Sequence, residues 1–497
     1  MTPFVRRAAT VAAVAGVLGV YAVLAIHYHG ASAMAPDESF YSLAARDAVA
    51  GRALYRDFAY TQMPLLPYVN GLIFELTGRT LAAHRAVNAA WGAIALLAVM
   101  WTVRRRTRAL EPALLAGFLV AASPRWVSLQ TLAVWCAPTG AFLSLALAAA
   151  LHRGSYWPRA VAFALAAVAA CGCRLTSVPF AAVMALLFAL DGDAKRRILT
   201  AALFVGAGVA AIAPFALAAP ESFLFDTVRY HLGAAYERNL YAQAAQWWNV
   251  APAVTAGFAV VLFAIPRLWR ERARAELVLL ATGLVALVVP VLPPSAWGVY
   301  IAASIPVAAA AGAIVLHGLA EWGSPLKRLA WALPALSLCL MAPPASAVDP
   351  TAEVAEVAAF IRQKVPPGPL LTPLGVVAVE ADRAVIPGTE MGTFSAMAPV
   401  ERDAARRMRF AIVPDLTTAV EKRVPAAVVR VTAPRTSLVW NFRWAVPSMK
   451  DQPYAVIEGF ESAIKACYKQ AKATATMEVL VRKDKCEAPK APAGGKP

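Results

Sequence analysis

The sequence predicts an all-α polytopic membrane bundle of about 11 transmembrane helices with a C-terminal external α/β domain. Three features predict this class: the composition, the spacing of the apolar segments and the charge of the loops between them. The 497 residues are 60% apolar and 15% charged, whereas soluble domains carry about 25% charged residues. The net charge of +17 arises from short basic runs between apolar segments and not from one soluble face. We therefore expect a lipid bilayer as a partner and no nucleic acid.

Apolar windows of about 20 residues are long enough to cross a bilayer as a helix. The first window is followed by small residues typical of a signal-peptide cleavage site, but it is longer than a signal-peptide core and is predicted to be retained as a span. The predicted spans lie near 8–27, 86–103, 109–123, 132–151, 159–174, 176–190, 198–219, 249–265, 276–293, 299–318 and 328–346.

Alternate interruptions between these spans are rich in Arg and Lys. Since such residues collect in cytoplasmic loops, the pattern predicts a cytoplasmic N-terminus, external loops at 28–85 and 220–248, and an external C-terminal region. The predicted location is the cell inner membrane, as a multi-pass protein. The basic runs are Arg6-Arg7, 104–108, 152–159, 193–197, 267–274 and 325–328.

The composition changes after Ala347, where the apolar runs shorten to strand length. The predicted domains are a transmembrane domain at 1–347 that includes the loop 28–85, a periplasmic α/β domain at 348–487 and a disordered tail at 488–497. Within the second domain, helices are predicted at 351–365 and 460–470, and strands at 368–374, 426–432 and 474–482.

The six cysteines divide by their predicted environment. Cys467 and Cys486 lie in the external region, where they either form a disulfide or stay as thiols. Cys171 and Cys173 form a close pair within a span, without a second pair or a nearby histidine. Such a pair is more typical of small buried side chains than of a metal site. We predict no metal and no cofactor.

The longest external loop, 28–85, opens on adjacent carboxylates, Asp37 and Glu38. The run DESFYSLAARDAV has a helical period, which places Asp37 and Tyr41 on one face. One interpretation is that the carboxylates cap the helix. Further arginines, aspartate and tyrosines in the same loop favour a functional interpretation, because charges held at a membrane face are usually functional.

The loop also carries a series of motifs in a fixed order. They are Asp37-Glu38, Tyr41, the run GRALYRDF at 51–58, Pro64-Leu65 with Tyr68, Gly78 and His84-Arg85. This series resembles the first external loop of the C-superfamily membrane glycosyltransferases, most closely the bacterial relatives of protein O-mannosyltransferases and the lipid A aminoarabinose transferase. The resemblance implies a multi-span body with an external domain, and transfer of a sugar from a polyprenyl-phosphate carrier to an envelope lipid, glycan or protein.

That reaction needs a base for the acceptor hydroxyl and cations for the departing phosphate. We predict Asp37 as the base, with Glu38 positioning it or capping the helix, and Tyr41 and Asp57 as substrate-binding residues. The predicted phosphate-binding residues are Arg56, Arg85, Arg125, Arg229 and His231. For the segment around Arg229, an aromatic belt with a snorkelling arginine is the alternative.

Two departures from the family pattern limit what the resemblance implies. Gln62-Met63-Pro64-Leu65 stands where the aminoarabinose transferase pattern has Lys-Pro-Pro-Leu, so the phosphate-facing lysine is absent. Many relatives have an acidic residue in the second external loop or the following span, whereas 123–140 has none. In the external region, GTEMGTFSAM at 388–397 is interpreted as a turn between a strand and a helix, or as a substrate-facing loop.

Two other classes of function fit a polytopic chain with external charges. One is a transporter or flippase of lipid-linked sugars, and the other is a non-catalytic envelope assembly protein. Transporters place ionisable residues near the bilayer midplane and often repeat one half of the chain. Here the charges collect in external loops, which favours the glycosyltransferase.

Overall fold

A computed structural model describes residues 2–191, 193–233, 245, 247, 249–252, 254–255, 265–271, 273–293, 298–318, 348–396, 400–432 and 454–487. The chain forms two compact units. The first comprises 1–29, 85–213 and 236–344, and the second comprises 30–84, 214–235 and 345–497. The long external loop and the C-terminal region thus belong to one unit, while the boundaries predicted at 347 and 487 stay a prediction.

The helices up to residue 233 follow one another with short connections, except for the longer segment 50–64 between α2 and α3. They are α1 (Pro3–Ala31), α2 (Pro36–Val49), α3 (Leu65–Thr77), α4 (Leu81–Thr107), α5 (Glu111–Ala121), α6 (Pro124–Gln130), α7 (Cys136–Leu151), α8 (Tyr156–Cys173), α9 (Val178–Asp191), α10 (Ala194–Ala218), α11 (Pro220–Leu224) and α12 (Tyr230–Gly233). A π-helical turn, Phe225–Arg229, joins α11 to α12. Further helices of the first unit lie at Ile265–Arg270, Arg274–Val288, Gly298–Ala302 and Ile305–Gly318.

Five helices of the described residues are long and apolar enough to cross a membrane, and the bent pair of α5 and α6 makes six if it forms one span. The chain is therefore a multi-pass membrane protein. Four shorter apolar helical segments of 10–17 residues lie at Leu65–Thr77, Cys136–Leu151, Leu175–Phe188 and Ile305–Gly318. The third of these joins a 3₁₀ turn, Leu175–Ser177, to most of α9.

The predicted number of about 11 spans is not confirmed. Several predicted windows fall on helices such as α7, whose 16 residues reach about 24 Å, less than a hydrocarbon core of about 30 Å. The window at 328–346 lies outside the described residues, and the window at 249–265 is described only in part.

The sequence sets the ends of α2 directly. Pro36 occupies the first helical position, where its missing N–H costs nothing. After Val49 the chain turns at Gly51, whose φ of 89° lies in the left-handed region. The last turn of α4 carries Arg104–Arg106, whose positive charges suit the negative end of the helix.

The C-terminal region contains a four-stranded mixed sheet with helices. Strands β1 (Leu370–Leu371), β2 (Ala427–Val431), β3 (Tyr468–Ala473) and β4 (Met477–Arg482) have the order β1-β2-β4-β3, with β1 parallel to β2 and the other pairs antiparallel. The helices are Pro350–Lys364, Gly375–Glu380, Arg402–Arg407, Val413–Glu421 and Tyr454–Cys467.

The predicted C-terminal elements are present with changed bounds, and the strand predicted at 368–374 is reduced to Leu370–Leu371. The predicted helix at 460–470 was wrong at its end, because the helix stops at Cys467 and residues 468–473 form β3. Pairing with β4 decides this boundary, since a strand edge next to a complementary partner gains backbone hydrogen bonds that a frayed helix end lacks.

Apolar side chains from helices and strands form the core beneath this sheet. Val420, Val428, Phe460 and Ile464 are among its members. At its border Cys467 and Cys486 form a disulfide. The pairing that the sequence left open is thereby confirmed.

Candidate active site

Helix α2 begins at the two adjacent carboxylates, and the structure separates them. Glu38 is fully buried, and its Oε2 accepts a hydrogen bond of 2.8 Å from the backbone N–H of Ala35. The contact satisfies a donor at the helix start, where backbone amides lack intrahelical partners. Asp37, the second residue of the helix, is half-buried. The capping interpretation therefore suits Glu38, and Asp37 is the more accessible carboxylate of the pair.

Two glycines allow α2 to pack closely on both sides. A Cβ added to Gly71 of α3 would lie 2.5 Å from the carbonyl oxygen of Ala45, and one added to Gly375 would lie 2.7 Å from the carbonyl oxygen of Ser39. Neither position has room for a larger residue, because at each one an added Cβ would collide with a backbone oxygen of α2, which cannot move unless the helix moves. The helix that carries Asp37 is thus held between α3 and the helix Gly375–Glu380.

Buried ion pairs hold the C-terminal end of α2. Asp47 accepts from Arg46 at 2.7 Å and also pairs with Arg52, and Arg52 in turn donates to Glu390 at 2.8 Å. Arg46 donates to the carbonyl oxygen of Arg383 at 2.6 Å. Since removing one member of a buried pair leaves an uncompensated charge, this network should fix the loop against the C-terminal region of the same unit.

The glycine-flanked string at 388–397 contributes Glu390 to that network. Its Oε2 accepts the N–H of Gly388 at 2.7 Å, and Gly388 and Gly392 both adopt positive φ, as a tight turn requires. Burial raises the pKa of Glu390, and the ion pair with Arg52 opposes that rise. The string therefore begins with a turn, as the sequence suggested, and continues as a 3₁₀ helix, Gly392–Ala396. Glu390 of the turn also contacts the loop 28–85 through Arg52.

The Tyr-Arg-Asp motif forms a strained turn closed by a local ion pair. Tyr55 is buried with a φ of 66°, a conformation that costs energy for a residue other than glycine. Arg56 donates to both carboxylate oxygens of Asp57, at 2.9 and 3.1 Å, and Asp57 also accepts the N–H of Ala53 at 2.7 Å. The pair with Arg56 lowers the pKa of Asp57 to about 2. Arg56 and Asp57, which were both predicted to contact substrate, are thus engaged with each other.

The segment after this turn is held by three side chains. The N–H of Tyr60 donates to Asp226 at 2.9 Å, Nε2 of His231 lies 2.6 Å from the carbonyl oxygen of Thr61, and the hydroxyl of Tyr55 donates to the carbonyl oxygen of Gln62 at 2.6 Å. Because a carbonyl only accepts, His231 must carry its proton on Nε2.

Sequence reasoning missed Asp226. An aspartate within the apolar and aromatic run PESFLFDTVRY was the available signal, since a buried carboxylate needs a reason to be retained. Its neighbour Arg229 on the same turn was predicted, and it is exposed to solvent. In the part of the chain that the structure describes, the side chain of Arg229 makes no hydrogen bond or ion pair.

Of the other predicted residues, Tyr41 is buried beside Tyr60, with ring centroids 6.4 Å apart. Arg85 and Arg125 belong to the first unit. Arg85 is fully buried and donates to the carbonyl oxygen of His29 at 2.9 Å. Arg125 is half-buried near the start of α6. Seven of the nine predicted residues, Asp37, Glu38, Tyr41, Arg56, Asp57, Arg229 and His231, thus lie in the second unit.

Metal ligands do not cluster among the described residues, where no group of three or more His, Cys, Asp or Glu side chains is placed to hold an ion. The three free cysteines in this part of the chain, Cys136, Cys171 and Cys173, are buried.

Comparison with solved structures shows that this chain shares the fold of a membrane protein of known structure. The crystal structure of ArnT from Cupriavidus metallidurans bound to undecaprenyl phosphate matches 97% of this chain and 99% of its own, with a TM-score of 0.65 and 15% sequence identity. The apo state of the same protein matches 98% of this chain and 100% of its own, with the same TM-score and identity.

A weaker match is the archaeal oligosaccharyltransferase AglB from Archaeoglobus fulgidus, in complex with an inhibitory peptide and a dolichol-phosphate. It covers 94% of this chain and 74% of its own, with a TM-score of 0.48 and 13% identity. No protein-family model and no curated protein matches the sequence. The resemblance inferred from the external loop is therefore confirmed as a shared fold with ArnT.

Proposed function

We propose that this protein is a membrane glycosyltransferase that moves a hexosyl or pentosyl group from a polyprenyl-phosphate carrier to a lipid, glycan or protein of the cell envelope. Transfer takes place on the periplasmic face of the inner membrane, with the N-terminus in the cytoplasm. The observation that carries this proposal is the match to ArnT over nearly the whole chain, in a structure bound to undecaprenyl phosphate.

Asp37 acts as the general base of the proposed reaction. The acceptor hydroxyl gives its proton to the Asp37 carboxylate while its oxygen bonds to the anomeric carbon. The bond from that carbon to the carrier oxygen breaks, and its electron pair leaves with the polyprenyl phosphate. The half-buried position of Asp37 supports this role, and the burial of Glu38 against Ala35 supports a capping role for its neighbour.

Cationic side chains stabilise the departing phosphate in this mechanism. Arg229 is the strongest candidate, because it is exposed and makes no ion pair within the described ranges. Arg125, half-buried at a helix start, is the second. Arg56 is already paired with Asp57, and Arg85 donates to a backbone carbonyl. We therefore assign Arg56 and Arg85 a smaller share of the phosphate contact.

Asp37→Asn tests the base assignment. Asparagine is close in size to aspartate and favours helix starts nearly as well, so the protein should insert and fold. Losing the proton acceptor should lower the rate by about 10² to 10⁴. The measurement is transfer by the purified protein from a polyprenyl-phosphate sugar, with envelope lipids, glycans and proteins offered as acceptors and the products identified by mass spectrometry.

Glu38→Gln is the matched control. The glutamine oxygen can still accept the N–H of Ala35, so the helix start should survive and the rate should fall much less than for Asp37→Asn. A near-parental rate for Asp37→Asn would return that residue to a capping role. Absence of transfer by the parent protein, with carrier translocation in its place, would favour the transporter.

A further inference from the structure

The π-helical turn Phe225–Arg229 faces two environments. Asp226 on this turn is fully buried, whereas Arg229 is exposed. Turns of this kind are rare and occur frequently at functional sites. Phe225, the first residue of the turn, and Tyr230, which follows it, both pack against Phe410, with ring centroids 5.9 and 5.5 Å from that of Phe410. The turn is therefore held on its buried side and open on the side of Arg229.

Asp226 connects this turn to the external loop through a backbone group. Its Oδ2 accepts the N–H of Tyr60, and His231, five residues later, binds the carbonyl oxygen of Thr61. These two contacts join the segments 60–62 and 225–231 although they are 166 and 170 residues apart in sequence. A third contact, from Tyr55 to the carbonyl of Gln62, holds the same segment from within the loop.

The environment of Asp226 suits a fixed hydrogen-bond acceptor better than a proton-transfer group. Burial raises the pKa of Asp226 well above its ordinary value, so the carboxyl group is favoured in its neutral form. Its Oδ1 is buried and makes no hydrogen bond to the described residues. An asparagine side chain can also accept one backbone N–H, so it can replace a neutral carboxyl group in this contact.

We infer that Asp226 is a positioning residue for the donor-phosphate site, where it binds the turn 225–229 to the segment 60–62 and so fixes the direction in which Arg229 is presented. This inference rests on the proposed function, because it takes Arg229 as a ligand of the carrier phosphate. Asp226 itself touches neither substrate. Gln62, at the position of the missing lysine, belongs to the segment 60–62, and its carbonyl oxygen accepts the hydroxyl of Tyr55.

A double-mutant cycle tests the inference. Arg229→Ala should lower kcat/KM for the polyprenyl-phosphate sugar by about 10- to 100-fold, as expected for a charge-assisted hydrogen bond. Asp226→Leu, which removes the acceptor at similar volume, should lower kcat/KM by about 10-fold through the donor KM. The double variant should be no more than about 2-fold below Arg229→Ala, because Asp226 acts through Arg229 and the two effects do not multiply.

Two further variants separate positioning from general loss of structure. Asp226→Asn should recover most of the activity that Asp226→Leu loses, since its side-chain oxygen can accept the N–H of Tyr60. Thr227→Val is the matched control on the same turn, because among the described residues its hydroxyl bonds only to the carbonyl oxygen of Phe223. Its effect on kcat/KM should be small. If Asp226→Leu does not accumulate in the membrane, His231→Phe removes the second anchor and takes its place in the cycle.

The inference would be overturned if the two single losses of kcat/KM multiply in the double variant. It would also be overturned if the parent transfers sugar and Arg229→Ala has the same kcat/KM as the parent. A loss of kcat/KM in Asp226→Asn as large as that in Asp226→Leu would also overturn it, since the carboxyl group would then do more than accept the N–H of Tyr60. Absence of transfer by the parent protein is a different result, because it overturns the proposed function itself.

Discussion

Gly375→Ala should displace the helix that carries Asp37. The added Cβ would collide with the side chain of Leu43 and lie 2.7 Å from the carbonyl oxygen of Ser39. Leu43 is fully buried and has little room to move. The backbone oxygen of Ser39 cannot move unless the first turns of α2 move with it.

The size of the effect follows from these distances. An ordinary contact begins at 3.4 Å, so the backbone of α2 must retreat by up to about 0.7 Å. Overpacking of this kind costs about 1 to 3 kcal/mol of folding free energy. A misplacement of about 1 Å costs a catalytic group about 10²-fold, so the sugar-transfer rate should fall by about 10-fold or more.

The assay compares the thermal unfolding midpoint and the sugar-transfer rate of the purified variant with those of the parent. Gly459→Ala is the control, because a Cβ there meets no atom of the described residues within 4 Å. Alanine in a helix should raise stability by up to about 1 kcal/mol without changing the rate. If Gly375→Ala unfolds and transfers like the parent, α2 is not packed as the structure shows. A stability loss with an unchanged rate would refute the positioning of Asp37 by this contact.

Three further predictions concern pH, thiols and topology. Burial raises the pKa of Glu380 from 4.5 to about 7, so its stabilising contribution, present at low pH, should be lost as the pH rises through about 7. The free energy of unfolding, measured with denaturant, should fall by about 3 kcal/mol. If the unfolding free energy of the parent falls no more than that of Glu380→Gln between pH 5 and 8, the prediction is wrong. Cys467 and Cys486 should resist alkylation in denatured protein until it is reduced, and ready labelling without reductant would exclude the disulfide. A reporter active only in the periplasm should be active after Ala347 and inactive after Arg108, whereas the reverse pattern would place the loop 28–85 in the cytoplasm.

Local sequence patterns determined several features of this protein. Apolar windows and basic interruptions indicated the membrane class, since hydropathy acts on each segment separately. The start of α2 followed from Pro36 and a carboxylate at the third helical position. The C-terminal helix and strands were predictable because their periods of 3.6 and 2 are local properties.

The tertiary structure decided what depends on partners distant in sequence. Among the described residues, several apolar windows fall on helices shorter than a span, so the predicted number of membrane-crossing helices is not confirmed. Residues 468–473 became β3 through pairing with β4. Glu38 and Arg56 have partners close in sequence, Ala35 and Asp57, but only the structure showed that these contacts form.

The sequence by itself determined the membrane class and pointed to the loop that carries Asp37, because hydropathy and motif order are written in consecutive residues. Only the tertiary structure joined Glu390 to Arg52 and Asp226 to the N–H of Tyr60, across 338 and 166 residues. Such pairs leave no periodic signal, since burial and hydrogen-bond geometry arise only when the segments pack together.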